Sequence, residues 1–242
     1  MVPLSSPSAS GVGPLGVLIL DTRFPRGRGD IGNIESYDFP VLLKTVQGAT
    51  VDRVVKQGDP TLLAPFMAAA KELEAQGACA ITTSCGFLAP FQADVAKAIN
   101  IPVFLSSLMQ IPLVYMMTQR RIGLVTANGE TLTPRHFQAA GVSEDIPLSI
   151  KGLQTYPAFY EWIFTDRETI DVQAVQRAVL EAAEALISEH PDIGALVFEC
   201  HNLAPYAPVV AKATQRPVFD IIAFAHWVYS TMAKREFLSA VV

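Results

Sequence analysis

Short apolar runs alternate with longer amphipathic stretches along almost the whole chain. This alternation is typical of strand–helix units built around a mainly parallel sheet. The predicted strands are 15–20, 50–55, 78–83, 101–105, 121–126, 148–154, 195–199 and 217–220. The predicted helices follow Asp59, Thr133 and Asp171 as N-caps, and a last helix covers about 224–237. The pattern therefore predicts an α/β fold.

An internal repeat divides the chain into two similar halves. Residues 85–104 align without a gap on residues 200–219, and 11 of the 20 positions are identical. Both segments contain Cys-x-x-Leu-Ala-Pro-aromatic, then Val-Ala-Lys-Ala, then Pro-Val-Phe. A weaker echo joins Gly16 to Gly123 at the start of each half. We therefore expect two pseudo-symmetric, flavodoxin-like lobes with the active site in the cleft between them.

The repeat and the composition of the ends define the expected domains. Residues 1–13 are rich in Ser, Pro and Gly, and we expect a flexible tail there. Residues 14–105 with a C-terminal helix at 224–242 would form lobe 1, and residues 106–223 would form lobe 2. The apolar stretch 111–117 suits a homodimer contact.

Composition narrows the functional classes. The chain has 242 residues, 50% hydrophobic and 17% charged, with a formal net charge of −5 and no long Lys/Arg run. It offers no electrostatic footprint for nucleic acid, and no apolar stretch reaches the roughly 20 residues that span a bilayer. Three cysteines, without a recognisable export signal, favour free thiols in a cytoplasmic protein.

Two of the cysteines occupy equivalent places in the repeat. Cys85 and Cys200 each follow an apolar strand and precede a predicted helix, at the carboxyl ends of parallel strands where α/β sheets build their sites. Backbone N–H groups at such a turn favour the thiolate and can hold a carboxylate. Two opposed thiols could remove a proton from one face of a carbon and return one to the other. Cys79, on an apolar strand, fits a packing role.

The segments TTSCGFLAPF and VFECHNLAPY resemble those of the aspartate/glutamate/hydantoin racemase superfamily. The resemblance covers nearly the whole chain after the tail. It implies a cofactor-independent enzyme with two α/β lobes and one catalytic cysteine in each, here Cys85 and Cys200. It also implies that a small carboxylate substrate contacts the turns after the first strand of each half and beside each thiol. Those positions are Asp21, Gly86, Phe87, Thr126, Asn128, His201 and Asn202.

The sequence also departs from the amino-acid racemases of this group. Small polar residues usually follow their thiols, whereas this chain has Gly86-Phe87 and His201-Asn202. The Cys-Gly-Phe turn and the segment 29–33 look more like an outlying branch that includes the algal dimethylsulfoniopropionate lyases. A racemase or isomerase is therefore the leading hypothesis, with a lyase or decarboxylase as the alternative. A small-carboxylate binding protein is a third reading, which thiol alkylation would distinguish.

The remaining candidate residues carry less information. Arg23, Arg26 and Arg28 lie in a Gly-rich loop after the first strand, and one of them could meet a substrate carboxylate. Ser84 and Glu199 precede the two thiols and could support them. The four histidines lack ligand spacing with the cysteines, and no nucleotide-binding loop follows a strand. We therefore expect neither a metal nor a cofactor.

Overall fold

The computed structural model describes residues 11–234, and these form two parallel sheets of four strands each. The first sheet has the order β2-β1-β3-β4 and the second the order β6-β5-β7-β8. The strands are β1 (Leu15–Leu20), β2 (Val41–Val46), β3 (Ala80–Thr83), β4 (Val103–Phe104), β5 (Arg121–Thr126), β6 (Leu148–Gly152), β7 (Ile193–Phe198) and β8 (Val218–Phe219). The α/β class and the two flavodoxin-like lobes are thus confirmed.

Helices connect the strands, as parallel sheets require. They are α1 (Leu63–Ala75), α2 (Gln92–Ala98), α3 (Ile111–Thr118), α4 (Pro134–Ala139), α5 (Pro157–Ile163), α6 (Val172–Glu189), α7 (Ala207–Thr214) and α8 (Ile221–Met232). The Asp171 carboxylate caps α6 by accepting the Ala174 N–H. Asp59 caps a short 3₁₀ turn that leads into α1. These two N-caps lie where the sequence predicts them.

The internal repeat has the same secondary structure in both halves. A 3₁₀ helix at Gly86–Phe91 leads into α2, and a 3₁₀ helix at His201–Tyr206 leads into α7. Gly16 and Gly123 have a shared packing reason. A Cβ at either position would lie 2.6 Å from a side chain of the neighbouring strand, Ile81 in one lobe and Leu196 in the other. In both halves, therefore, the glycine of the first strand lets a side chain of the neighbouring strand pack closely against its backbone.

The predicted strand at 50–55 is wrong. That segment begins a π-helical turn at Asp52–Lys56, and the second strand of the first sheet is β2. Val51, Val54 and Val55 are buried with helical spacing, which the β-branched composition obscures. Strand β2 lies at the sheet edge and is partly exposed, so it lacks a continuous apolar run.

Helix α8 begins three residues earlier than predicted, because Asp220 caps it by accepting two backbone N–H groups. Its buried face, including Phe224 and Tyr229, belongs to the apolar cluster that contains Leu15 and Val17 of β1. This contact agrees with placing the helix in lobe 1. The domain limits themselves stay a prediction, and their parts at residues 1–10 and 235–242 lie outside the described residues.

Apolar side chains are exposed on α3, at Leu113, Met116 and Met117. The predicted homodimer stays a prediction, as does the cytoplasmic location. Within residues 11–234, no helix combines the length and the hydrophobicity needed to cross a bilayer.

Candidate active site

The two candidate thiols lie just beyond the carboxyl ends of β3 and β7, each directly before a 3₁₀ helix. The thiol of Cys85 accepts a hydrogen bond from the Phe87 N–H, and that of Cys200 accepts one from the Asn202 N–H. The two thiols are close enough for the charge of Cys85 to raise the pKa of Cys200. The structure thus brings the two cysteines of the repeat to one site.

The expectation that these turns favour the thiolate is wrong, because both thiols are buried. Burial raises the pKa of Cys85 and raises that of Cys200 well above its usual range. The negative charge of Glu199 raises both further, while the Arg26 cation acts in the opposite direction on Cys85. Desolvation of a charged group outweighs the hydrogen bond from a single N–H. Burial and the charge of Glu199 therefore both favour the neutral form of the two thiols.

Glu199 lies between the end of β7 and the second thiol, and it is completely buried. Its Oε2 atom accepts a hydrogen bond from Thr126 Oγ1 at 2.7 Å, and the Ala127 N–H also donates to its carboxyl. Burial raises the pKa of Glu199 to about 7, against the lowering effect of these two donors. Thr126, which the sequence predicts as a substrate contact, therefore donates its hydroxyl hydrogen bond to the Glu199 carboxyl.

His201 connects the second thiol turn to the other half of the molecule. Its Nδ1 lies 2.7 Å from the Thr83 carbonyl, and its Nε2 accepts the Ser107 N–H at 3.2 Å. This pairing requires a neutral ring with the proton on Nδ1, and burial lowers the pKa of His201 to about 4. Because backbone groups occupy both ring nitrogens, the geometry favours a structural role for His201 over substrate binding.

Asn202 joins Cys200 to a buried ion pair. The Asn202 amide donates to Asp30 Oδ2 at 2.7 Å, and its Oδ1 lies 3.9 Å from the Cys200 Sγ that donates to it. The Arg26 guanidinium donates to Asp30 Oδ1 at 3.1 Å, and both side chains are largely shielded from water. The backbone at Gly29 has φ +94°, and a Cβ there would lie 3.2 Å from Pro205 Cα. Glycine therefore allows this loop to reach the second thiol turn.

Gly86 and Phe87 form the other wall beside Cys85. A Cβ on Gly86 would lie 2.3 Å from the Glu199 carbonyl oxygen and 2.4 Å from Oε1, so no side chain fits there. The Phe87 ring contacts the His136 ring edge-on, with 5.2 Å between centroids. Phe87 also lines a cavity of about 410 Å³ between the two lobes, and the lining of that cavity includes Lys56 and Arg135 but neither thiol.

The other predicted contacts lie on the turns after β1 and β5. Asp21 Oδ2 accepts the Gly48 N–H at 2.8 Å, and Asn128 Oδ1 accepts the Glu130 N–H at 3.0 Å. Asp21 therefore ties the turn after β1 to the turn after β2, and Asn128 stabilises its own turn. Their role as substrate ligands stays a prediction.

Of the three loop arginines, Arg26 is the one whose charge lowers the pKa of Cys85. Arg23 is 68% exposed and pairs with Asp166 and Glu168, and Arg28 is exposed.

Cys79 directly precedes β3, at the opposite end of the strand from Cys85. Across residues 11–234, His, Cys, Asp and Glu side chains form no group of three that could hold a metal ion.

Sequence reasoning underrated three residues, Arg26, Asp30 and Glu199. The loop of Arg26 and Asp30 is Gly-rich and charged, which usually indicates a solvated segment. Glu199 ends a strand, and its orientation could not be read from the sequence. The only available indication was its position next to the repeated cysteine.

Comparison with known proteins identifies the family. Residues 52–228 match the model of the Asp/Glu/hydantoin racemase family. The chain belongs to that family. Its relatives include dimethylsulfoniopropionate lyase 7 of Emiliania huxleyi, which is 37% identical over 220 residues. That alignment covers 86% of this chain but only 64% of the relative, so this chain spans somewhat less than two thirds of that protein's length.

Solved structures show the same fold at low sequence identity. An aspartate racemase of Picrophilus torridus superposes with a TM-score of 0.59 at 14% identity, over 92% of this chain and 96% of that chain. A liganded double mutant of arylmalonate decarboxylase gives 0.62 at 15% identity, over 91% and 92%. Racemases and a decarboxylase thus share this fold, and the relatives of this chain include lyases.

Proposed function

We propose that this protein is a cofactor-independent enzyme that removes the proton on the carbon next to a carboxylate and then expels a group from the adjacent carbon. The observation that carries the general chemistry is the meeting of two thiols, one from each lobe, in one buried site. A thiol in such a place can act as a general base or a general acid once its charge is stabilised.

Unequal surroundings of the thiols favour a lyase over a racemase. Glu199 raises the pKa of both thiols. The negative charges of Asp30 and Cys85 raise that of Cys200 further, whereas the Arg26 cation lowers that of Cys85. Cys85 is therefore the thiol that ionises more readily, and a substrate carboxylate beside it would be stabilised by Arg26. The lyase relatives support the same choice.

In this reaction the Cys85 thiol first loses its own proton to solvent. The resulting thiolate takes the α-proton, and the C–H electron pair forms the Cα=Cβ bond. The bond from Cβ to the leaving group breaks, and the leaving group departs with that electron pair. With dimethylsulfoniopropionate, the products would be acrylate and dimethyl sulfide. Cys200 remains protonated opposite the base and can donate a hydrogen bond to the substrate.

The experiment is to incubate the protein in deuterated water with dimethylsulfoniopropionate and, separately, with each enantiomer of aspartate and glutamate and with an arylmalonate. We expect an unsaturated acid from the sulfonium substrate and no inversion of the amino acids. Inverted product carrying deuterium at the α-carbon would instead support the racemase reading. That reading is the second candidate because both thiols accept an equivalent backbone N–H. Carbon dioxide release from the arylmalonate would support a decarboxylase.

A further inference from the structure

Equivalent positions before the two thiols carry different side chains, Ser84 in the first lobe and Glu199 in the second. Ser84 Oγ accepts the Leu20 N–H at the end of β1, at 3.0 Å. The Glu199 carboxyl accepts the Ala127 N–H directly after β5. Both residues therefore connect the thiol strand to its neighbouring strand, and a hydroxyl is sufficient for that connection.

The carboxyl of Glu199 does more than this connection requires. Its Oε1 atom is fully buried and has no hydrogen-bond partner within residues 11–234. This atom extends toward the first thiol turn, since it would lie 2.4 Å from a Cβ on Gly86. A buried polar atom without a partner is costly, and a structural role alone would not maintain it.

The charge of this carboxyl acts on both thiols, since Glu199 raises the pKa of Cys85 and of Cys200. Other charged groups near the pair are Arg26 and Asp30 on the loop after β1. These two are ion-paired with each other, so their effects partly cancel. His201 is buried and neutral, since its pKa lies near 4. Glu199 is the titratable group beside the thiols that can change its charge near neutral pH.

We propose that Glu199 is a positioning residue whose charge determines when the thiol pair can ionise. With Glu199 charged, a thiolate beside it is suppressed by repulsion between like charges. When the carboxyl takes up a proton, that repulsion is removed and Cys85 ionises more easily. This inference rests on the proposed function, in which a thiolate begins the reaction.

The test measures how the alkylation rate of Cys85 by iodoacetamide depends on pH, resolved by peptide mass spectrometry in the full-length protein. In Glu199→Gln the charge is absent, so we expect the midpoint to move to lower pH by about one unit. The rate at pH 8 should rise about 10-fold. Ser84→Ala is the matched control, because it removes the equivalent connection without changing a charge, and its midpoint should stay at the wild-type value.

Two further variants separate charge from packing. Glu199→Asp keeps a carboxyl and should restore the midpoint toward wild type. Thr126→Val removes a donor that favours the charged carboxyl, so its midpoint should also move down, but by less than in Glu199→Gln. If Glu199→Gln does not fold, Thr126→Val decides the question, since an unchanged midpoint in that variant contradicts the proposal.

Turnover provides an independent measurement. The rising limb of kcat/KM against pH should move down with the alkylation midpoint in Glu199→Gln, with little change in KM. A folded Glu199→Gln protein whose alkylation midpoint equals that of wild type would overturn the inference. The alkylation experiment needs no substrate, so it can fail or succeed regardless of whether the proposed lyase activity is found.

Discussion

The two thiol turns share a backbone and differ in what surrounds the sulfur. Each places a cysteine before a six-residue 3₁₀ helix and gives its thiol the N–H of the residue two positions later. Glu199 acts on both thiols, but Cys85 follows the neutral hydroxyls of Thr83 and Ser84, whereas Cys200 also contacts an amide bound to a buried ion pair. The repeat therefore fixes where the thiols lie, and the side chains that differ between its two copies distinguish their surroundings.

The largest expected effect is the loss of activity when each thiol is replaced in turn. Cys85→Ser should lower kcat/KM by about 10³-fold or more, because a general base supplies about 10²–10⁴-fold of rate. Cys200→Ser should lose only about 10–100-fold, since a serine hydroxyl can still donate a hydrogen bond. Steady-state kinetics with the substrate that the deuterated-water experiment identifies measures both, with Cys79→Ser as a control close to wild type. Equal losses would favour two equivalent acid/base thiols and hence a racemase.

Removing the ion pair behind Cys200 tests whether the two turns differ in stability. Asp30→Asn leaves the shielded Arg26 cation without its partner, and we expect the free energy of unfolding to fall by about 3 kcal/mol. Thr83→Val removes the hydroxyl that is hydrogen-bonded to the Cys85 backbone and should lower the free energy of unfolding by only about 1 kcal/mol. Urea unfolding compares the two variants. Similar losses would mean that the ion pair contributes no more than a neutral hydrogen bond.

The variant Gly86→Ala tests whether the two thiol turns are in contact. The added methyl would lie 2.3 Å from the Glu199 carbonyl oxygen, so the two turns must separate. We expect a loss of about 2 kcal/mol in the free energy of unfolding. Gly27→Ala is the control, since a Cβ there meets no atom within 4 Å, and it should change stability by less than about 0.5 kcal/mol. An unaffected Gly86→Ala protein would show that the turns are not in contact in solution.

The smallest effect is in the pH dependence of stability. His201 has a pKa of about 4 when folded, below its usual 6.5, so it makes stability fall as pH drops between those values. Glu199 has a pKa of about 7, above its usual 4.5, so it makes stability fall as pH rises between those values. From pH 4.5 to 6.5 the two contributions oppose each other.

Glu199→Gln removes one of these contributions. Its free energy of unfolding should rise with pH more steeply than that of wild type, by up to ~1.4 kcal/mol per pH unit. Urea unfolding at pH 4.5, 5.5 and 6.5 measures the slope, and Ser84→Ala should keep the wild-type slope. A Glu199→Gln slope equal to wild type would contradict the raised pKa of Glu199.

The sequence predicts the fold class well and indicates that two cysteines occupy equivalent turns, because both follow from local patterns that repeat. Strand β2 was missed because an edge strand needs only part of its surface to be apolar. The segment at 50–55 was misassigned because its valines favour strands while their spacing follows a helix.

The roles of side chains at the site were harder to predict than their positions. Whether His201 binds substrate or backbone depends on Thr83 and Ser107, which are distant in sequence. The thiol pKa values depend on desolvation, which follows from tertiary packing and not from the turn itself. The proposed role of Glu199 likewise depends on tertiary contacts, since its carboxyl bonds Thr126 and lies against the turn of Gly86.

The hydrogen bonds of His201 have a consequence for synthesis on the ribosome. The Ser107 N–H that pairs with this imidazole leaves the ribosome 94 residues before it. At ~5–20 residues per second, that interval lasts roughly 5–20 s. During translation, the Thr83 carbonyl and the Ser107 N–H must be satisfied by water or by temporary partners. These two buried backbone groups thus gain their final partner only after the second thiol turn has been synthesised.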